Sequence, residues 1–311
     1  MDEMPAKVLG ELQDAAQAVA RTAGRSVVGI GHGWGLGSGV VIGDGLVLTN
    51  AHNVGGPEVA VTFAGGRTVA GQVVGADVDG DLAVVRVDTG DTPALAWEPT
   101  GDGTGDDADE AGLAVGAVVF ALANPGGRGL RVTVGMVSAV SQAFRGPRGR
   151  RVTGTVEHTA PLVRGSSGGP IVDLEGRLVG INTNRLGEGF YAAIPAGAGL
   201  KARVDALTRG EAPHRPHLGV GLVPGRAARH LRRSVGLPDR DGVLVRVVEP
   251  GGPAAEAGVR AGDLIVSAGG APVARVDDLH AALDALPTGQ PLALGLVRGA
   301  DELSVTVSWP E

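Results

Sequence analysis

The sequence predicts a mainly-β protein of two folded units, a double β-barrel followed by a small α+β unit. Short apolar runs recur between glycines from residue 27 to about residue 194, and Gly43-Asp44-Gly45 separates two of them as a hairpin turn does. The length of 311 residues allows two domains, and 54 glycines and 19 prolines supply the turns. The runs predicted as strands include 39–42, 46–49, 59–63, 82–86, 118–122, 131–140 and 178–182.

The N-terminal segment, residues 1–26, is predicted to be helical. One helical stripe is apolar, while Glu11, Gln13 and Arg21 lie off it. The stripe consists of Met4, Val8, Leu12, Ala15 and Val19. We expect this helix to pack on the barrel domain; the alternative is a helix that contacts a partner or a second subunit.

The barrel domain is predicted over residues 27–208. An acidic, glycine-rich stretch at 102–110 is predicted to be a solvated linker between its halves; the alternative is a calcium loop, but the acids match no EF-hand spacing. Leu200, Val204 and Leu207 predict a closing helix, because they lie at helical spacing.

The second unit is predicted over residues 217–311, after a linker at 209–216. Its pattern predicts strands and two helices, one from Pro253 to Gly258 and one capped by Asp277. This combination is typical of a small α+β domain.

Composition excludes several classes of function. The net charge of −7 argues against binding to a nucleic-acid backbone, and the absence of cysteine excludes disulfides and thiolate metal sites. No apolar run approaches the ~18 residues of a membrane span, and the N-terminus is acidic. We therefore expect a cytoplasmic protein if Met1 is the natural start; the alternative is an extracytoplasmic one whose signal or anchor has been removed.

Three other motifs give only weak evidence for a ligand-binding site. The glycine-rich stretch 31–37 precedes a strand, so it does not fit a dinucleotide fingerprint, and His214 and His217 lack companions for a metal. We expect no cofactor and no metal. A basic run is interpreted as a flexible or solvated loop, with anion binding as the alternative. Its members are Arg145, Arg148, Arg150 and Arg151.

The most informative motif is a glycine-rich turn around a serine. It reads Gly165-Ser166-Ser167-Gly168-Gly169-Pro170. His52 and Asp81 lie upstream beside strand-like runs, and the order histidine, aspartate, serine is that of chymotrypsin-like hydrolases. The turn also fits the nucleophile elbow of α/β-hydrolases. An elbow leads into a helix, however, and this turn leads into a predicted β-hairpin.

These residues predict catalysis of acyl transfer. Ser167 is the predicted nucleophile, His52 the base that takes its proton, and Asp81 the acid that orients the imidazole. Asp77 and Asp79 compete for the third role, yet Asp81 alone leads directly into the next strand.

The serine turn is also predicted to form an oxyanion site. The backbone N–H groups of Gly165 and Ser167 are expected to face the developing charge, in a loop that includes Ser166. In comparable sites each such donor contributes roughly 10²- to 10³-fold to the rate.

These segments resemble the HtrA (Deg) family of chymotrypsin-like serine proteases over about residues 27–208. The blocks that carry the resemblance are 37–42, 48–52, 81–84, 123–126, 135–139, 165–170 and 180–183. The family's C-terminal PDZ domain is similar to residues 217–311, through 217–220, 253–259 and 262–265. The resemblance implies an endopeptidase of unfolded or damaged proteins, which assembles into trimers or larger cages. The alternative is a non-enzymatic chaperone or PDZ adaptor.

One stretch and one single residue depart from the family pattern. Residues 159–166 read Thr-Ala-Pro-Leu-Val-Arg-Gly-Ser, where the usual stretch resembles Asp-Ala-Ala-Ile-Asn-Pro-Gly-Asn, so the contacts of that aspartate and asparagine are not expected here. Asn53 stands where an apolar residue commonly follows the histidine.

Substrate-binding residues are predicted in both units. Pro161 stands where cleavage after Arg or Lys needs an acid, and Ala192 and Ala193 are predicted at the pocket wall, so we expect a small or aliphatic residue on the acyl side. Arg164 is predicted at the pocket rim, as a solvated arginine or as the source of an acidic preference. In the PDZ-like unit, Leu218, Gly219 and Val220 are predicted to bind a C-terminal peptide as an added strand; the alternative is that they are simply the first strand.

Overall fold

The computed structural model describes residues 3–31, 36–99, 107–145, 151–211, 216–223, 225–234, 236, 239–287 and 289–309. The chain divides into two compact units, Met1–Ala212 and Pro213–Glu311. This division falls inside the predicted linker at 209–216. Strands dominate the described elements, so the predicted mainly-β class is confirmed.

The first six strands close into a barrel. They are β1 (Val27–Ile30), β2 (Gly37–Gly43), β3 (Leu46–Thr49), β4 (Glu58–Thr62), β5 (Thr68–Asp77) and β6 (Leu82–Arg86). Their order around the barrel is β1-β2-β3-β6-β5-β4, and every neighbouring pair is antiparallel. The β2–β3 hairpin turns at the predicted Gly43-Asp44-Gly45, where Gly45 adopts a φ of 71° that favours glycine.

The next six strands repeat this topology. They are β7 (Val118–Ala123), β8 (Arg131–Arg145), β9 (Arg151–His158), β10 (Pro170–Val172), β11 (Leu178–Gly187) and β12 (Phe190–Pro195). The order β7-β8-β9-β12-β11-β10 is the first barrel's order, shifted by six strands. The serine turn lies between β9 and β10.

Three α-helices accompany the barrels among the described residues. They are α1 (Glu3–Arg21), α2 (Asp107–Glu110) and α3 (Ala198–Thr208). Leu12, Ala15 and Val19 of α1 join the core as predicted, whereas Val8 is 57% exposed. No helix among the described residues is long and apolar enough to span a bilayer.

The acidic stretch at 102–110 is not wholly a solvated linker. Residues 101–106 lie outside the described residues, but Ala108 of α2 is 1% exposed and packs in the core of the second barrel. The expectation of a solvated linker was therefore wrong for the end of this stretch, because Ala108 of the short helix α2 packs against the barrel.

One buried cluster joins the two barrels. Leu48 and Leu82 come from the first barrel, and Phe120, Leu122 and Ile181 from the second. Each is fully buried, and burial of such a side chain stabilises the fold by about 1.5–3 kcal/mol. Leu200, Val204 and Leu207, the predicted stripe of α3, pack in the same cluster. This cluster therefore packs the two barrels and α3 against one another.

The second unit is a small α+β domain. Its strands are β13 (Val220–Val223), β14 (Val243–Val248), β15 (Leu264–Ala268), β16 (Ala271–Pro272), β17 (Leu292–Arg298) and β18 (Asp301–Val307), in the order β13-β14-β15-β17-β18 with β16 beside β15. Its helices are α4 (Gly225–Ser234), α5 (Pro253–Glu256) and α6 (Val276–Asp284).

Two expectations for this unit were wrong. The sequence reading missed α4. Asp277 is not the cap of α6; instead Asp278 Oδ2 accepts hydrogen bonds from the N–H groups of Ala274 and Arg275, at 3.0 and 2.8 Å. The Asp278 carboxylate, in the first turn of α6, thus accepts hydrogen bonds from the two backbone N–H groups that precede the helix.

A fully buried histidine, His158, lies in the second barrel. Its Nε2 lies 3.0 Å from Asn182 Oδ1, and the Asn182 Nδ2 group donates to Gly169 O and Pro170 O. Asn182 Oδ1 is therefore the acceptor, so Nε2 carries the proton, and Nδ1 has no partner among the described residues. Burial lowers the pKa of His158 to about 4, even though the bond to Asn182 opposes the shift.

The neutral state of His158 predicts a pH-dependent stability. The pKa of His158 is 6.5 in the unfolded chain and about 4 in the folded one, so between these values the unfolded chain binds more protons. The contribution of His158 to the free energy of unfolding is therefore fully present above pH 6.5 and is lost as the pH falls toward 4. We expect the free energy of unfolding of the larger unit to lose about 3 kcal/mol more in the parent than in His158→Gln between pH 7 and pH 4. Urea unfolding followed by hydrogen exchange in β9 and β11 measures this difference. Equal pH slopes would contradict the prediction.

Candidate active site

His52 lies in a 3₁₀ turn, Ala51–Asn53, directly after β3. The Asn50 side chain donates to Asp81 O at 2.8 Å, and His52 N–H donates to Asp81 Oδ1 at 3.2 Å. These bonds tie the histidine turn to the start of β6. The position of the imidazole is therefore fixed by the contacts of the turn as well as by the hydrogen bond of the ring itself.

The Asp81 carboxylate is 2% exposed and accepts from three donor groups. His52 Nδ1 lies 2.8 Å from Oδ1 and 2.9 Å from Oδ2, and Thr183 Oγ1 donates to Oδ2 at 2.6 Å. Because an ionised carboxylate only accepts, it places the imidazole proton on Nδ1 and leaves Nε2 as a base. Asp81 adopts a φ of 55°, a left-handed conformation that aspartate tolerates better than most residues.

The competing acids have other surroundings. Asp77 Oδ1 accepts from Gly80 N–H at 2.9 Å and so helps to build the turn before β6. Asp77 and Asp79 are both buried, and neither lines the cleft that holds His52. The structure brings Asp81, rather than these acids, to the imidazole.

The Ser167 hydroxyl lies in the same cleft as His52 but is bonded elsewhere. Its Oγ donates to Thr183 O at 2.9 Å, and among the described residues this carbonyl is its acceptor instead of His52 Nε2. The expected serine–histidine hydrogen bond is therefore absent in this conformation. Proton transfer needs the hydroxyl to turn about its Cα–Cβ bond, and such bonds often form only with substrate.

Thr183 is a functional residue that the sequence reading missed. Its hydroxyl holds Asp81, and its carbonyl holds Ser167. It lies 102 positions from Asp81 along the chain. The only local signal was its place in the block 180–183.

The serine turn is held by side chains of the first barrel. Ser38 Oγ donates to Gly165 O at 2.8 Å and accepts from Asn124 N–H at 3.0 Å. Asn53 Nδ2 donates to Ser167 O at 2.9 Å, and Ser38 N–H donates to the same carbonyl, also at 2.9 Å. The polar residue after the catalytic histidine thus positions the nucleophile, which the sequence reading did not anticipate.

The predicted oxyanion loop divides into free and bonded amides. Gly165 adopts a φ of 89°, and among the described residues no acceptor binds the amides of Gly165 and Ser167. Ser166 N–H instead donates to Val163 O at 3.2 Å. Ser166, predicted as part of the oxyanion loop, is therefore not a donor to the oxyanion, because a turn bond takes its amide, while the other two amides remain available.

The cleft has a volume of about 630 Å³. Besides the triad residues, its lining includes Phe144, Leu162, Val163, Arg164, Arg185 and Tyr191. Ala192 and Ala193 are fully buried and do not line it, so the expectation that they form the pocket wall was wrong. Tyr191, one residue earlier on β12, lines it instead. Arg164 is exposed at the cleft, as predicted for the rim.

The predicted peptide-binding residues lie at the edge of the second sheet. Val220 begins β13, an edge strand, while Leu218 is 3% exposed and packs in the core. Leu218 O and Gly219 O accept from Ala254 N–H and Glu249 N–H, at 3.0 and 2.8 Å. Their own amides have no acceptor among the described residues.

One of the weaker motifs reaches the site. Of the basic run, Arg145 ends β8 and lines the cleft, and Arg151 begins β9, while 146–150 lie outside the described residues. His214 and residues 32–35 also lie outside them. In the described part of the chain, no group of three or more His, Cys, Asp or Glu side chains could hold a metal ion.

Two family models match the chain. A trypsin-like peptidase domain matches residues 37–181, and a PDZ domain matches residues 216–308. Among solved structures, the HtrA-type protease AlgW with a decapeptide aligns over 95% of this chain and 99% of its own, with a TM-score of 0.60 and 25% identity. The serine endoprotease from Yersinia pestis aligns over 94% and 96%, with a TM-score of 0.58 and 26% identity.

Curated relatives extend over most of the chain. HhoA of Synechocystis is 36% identical over 287 residues, which are 88% of this chain and 70% of HhoA. The periplasmic serine endoprotease DegP of Escherichia coli is 31% identical over 283 residues, 88% of this chain and 56% of DegP. The matched region thus spans only part of the length of these two curated relatives. It belongs to the HtrA family of serine endopeptidases, with a trypsin-like domain followed by a PDZ domain.

Proposed function

We propose that this endopeptidase cleaves unfolded or damaged proteins through an acyl-enzyme on Ser167, and that its PDZ domain binds their C-termini. One observation carries the catalytic assignment. The buried Asp81 carboxylate holds His52 Nδ1 at 2.8 Å, in the cleft that also contains Ser167 and the unbonded amides of Gly165 and Ser167.

Catalysis begins when the Ser167 hydroxyl leaves Thr183 O and turns to His52 Nε2. The imidazole takes the proton as Oγ attacks the carbonyl carbon of the substrate, and the carbonyl oxygen becomes an oxyanion between the amides of Gly165 and Ser167. His52 then gives the proton to the leaving amine, and the C–N bond breaks. Water, deprotonated by His52, releases the acid product and restores Ser167.

An extended substrate suits the open cleft. Val163, Arg164 and Arg185 are exposed at its walls, so several consecutive substrate residues have access. In a folded protein the backbone groups are already paired within its own secondary structure. An unfolded chain offers them freely, which supports a preference for unfolded proteins.

The edge of the PDZ sheet supports binding of a C-terminus. Among the described strands β13 pairs with β14 alone, so its other edge is open to an added strand. The unbonded amides of Leu218 and Gly219 lie just before that strand and are suited to a terminal carboxylate. AlgW, a structural relative, was solved with a decapeptide. Trimer formation and cellular location stay predictions; light scattering of the full chain tests the former.

Loss of the nucleophile should abolish proteolysis without loss of the fold. We expect Ser167→Ala to lower casein turnover by at least about 10⁴-fold, because no other group forms the acyl-enzyme. A fluorophosphonate probe should label the parent and not the variant. Ser141→Ala, at an exposed serine of β8, is the control and should keep turnover and labelling. Equal casein turnover in parent and Ser167→Ala would remove the catalytic assignment.

Thr183 should be needed for the rate rather than for substrate binding. Thr183→Val removes the hydroxyl that holds Asp81, a hydrogen bond to a charged group worth about 1.5–3 kcal/mol, so we expect kcat to fall by about 10- to 100-fold with little change in KM. Thr183→Ser, which keeps the hydroxyl, should retain most of the rate. Asp81→Asn, which reverses the imidazole tautomer, should cost roughly 10⁴-fold. Thr183→Val at the parent's kcat would refute the positioning role.

Peptide binding by the PDZ domain should depend on a free carboxylate. With full-length Ser167→Ala and a labelled peptide ending in valine, amidation of the C-terminus should weaken binding by about 10- to 100-fold, because charge-assisted bonds are lost. Gly219→Ala should also weaken it, since Gly219 has a φ of 72° and a Cβ there lies 3.1 Å from Glu249 Oε2. Gly299→Ala, at a φ of 62° in the β17–β18 hairpin, is the matched control. Equal affinity for acid and amide, measured by fluorescence polarisation, would exclude this mode.

A further inference from the structure

We propose that the cleft selects an acidic side chain on the acyl side of the scissile bond, and that Arg185 and Tyr191 recognise its carboxylate. The proposal rests on the endopeptidase function above and names its substrate class. It replaces the expectation of a small or aliphatic residue, which was based on Pro161, on Ala192 and Ala193 near the pocket wall, and on the family resemblance.

Arg185 and Tyr191 form one unit of the cleft wall. They are paired across β11 and β12, and the guanidinium carbon lies 5.5 Å from the centre of the tyrosine ring. Arg185 Nη2 donates to Tyr191 Oη at 3.4 Å. Tyr191 is 5% exposed, so its ring is a fixed platform under a guanidinium that remains accessible to a ligand.

Among the described residues no carboxylate neutralises the positive charge of Arg185. Its guanidinium contacts Tyr191, and its backbone N–H donates to Asn184 Oδ1. Among the described residues of the cleft lining the one carboxylate is Asp81, whose oxygens are taken by His52 and Thr183. Arg145 and Arg164 add two further cations to the same lining.

The donors of this pair match a carboxylate. Arg185 has five N–H donors and uses one on Tyr191, whose hydroxyl accepts that bond and keeps its own proton for another acceptor. Phe144, Leu162 and Val163 supply apolar wall for the methylenes of a glutamate side chain. A guanidinium and a phenol above an apolar wall thus fit a glutamate better than an aliphatic or a cationic side chain.

The ring behind Tyr191 does not compete as a cation. His158 stacks on Tyr191 with ring centres 5.8 Å apart, but it is fully buried and its Nε2–H is directed to Asn182. The cations that a substrate meets in this lining are therefore arginines, and Arg185 is the one that lies over Tyr191.

The test compares otherwise identical quenched-fluorescent decapeptides with Glu, Gln, Val or Arg on the acyl side of the cut, using the full chain and Ser167→Ala as background. We expect kcat/KM for Glu to exceed that for Gln by at least about tenfold. Arg185→Gln should reduce this ratio to within about twofold, whereas Arg185→Lys should keep part of it. Tyr191→Phe should lower it by a few fold. Arg86→Gln, at an exposed arginine outside the cleft, should leave it unchanged. The ratio should also fall as salt is raised, because the contact is partly exposed.

Separate outcomes would overturn the inference and the function. Hydrolysis that depends on Ser167 but favours Val over Glu, or a Glu-to-Gln ratio that survives Arg185→Gln, would overturn the acidic preference and leave the endopeptidase intact. No Ser167-dependent hydrolysis of any peptide or of casein would overturn both.

Discussion

The Asp81 carboxylate is the contact on which the site depends. It lies between the barrels, with His52 of the first barrel on one side and Thr183 of the second on the other. Burying a carboxylate is costly unless donors surround it, and here three donor groups from two residues do so. The carboxylate sets the imidazole tautomer within the first barrel, and its second oxygen is held by Thr183 of the second barrel.

A second set of hydrogen bonds crosses the same boundary at the nucleophile. Ser38 and Asn53, from the first barrel, hold Gly165 O and Ser167 O of a turn that belongs to the second. With both carbonyls fixed, the amides of Gly165 and Ser167 remain for an oxyanion. The interface between the two barrels thus positions both the base and the oxyanion donors. The apolar cluster at this interface therefore supports the geometry of the active site as well as the stability of the fold.

The sequence predicts the local parts of this arrangement better than the distant ones. The turns around His52, Asp81 and Ser167 have specific residue patterns, and short apolar runs predict most strands. Thr183 has an ordinary hydroxyl whose partner is 102 positions away, so no local pattern identifies it.

The pocket wall shows a different limit of sequence reasoning. Strand β12 is buried almost throughout, so alternation of polar and apolar residues does not reveal which side chains face the cleft. Irregularities in the β11–β12 pairing, between Asn182 and Asn184 and between Arg185 and Gly187, also shift the register that simple alternation assumes. Tyr191 and Arg185 can therefore be identified as cleft-lining residues only from the folded sheet.

The charge of the cleft wall depends on how deeply His158 and Arg185 are buried on the two sides of Tyr191. His158 lies behind Tyr191 without solvent, so its protonation would bury a charge and would need an acceptor for Nδ1, which has none among the described residues. Arg185 lies on the solvent side, where water and the π-face of the ring stabilise its charge. Tyr191 separates the two environments. The buried side can thus serve as a neutral support for Asn182 and the serine turn, while the exposed side presents a cation to the substrate.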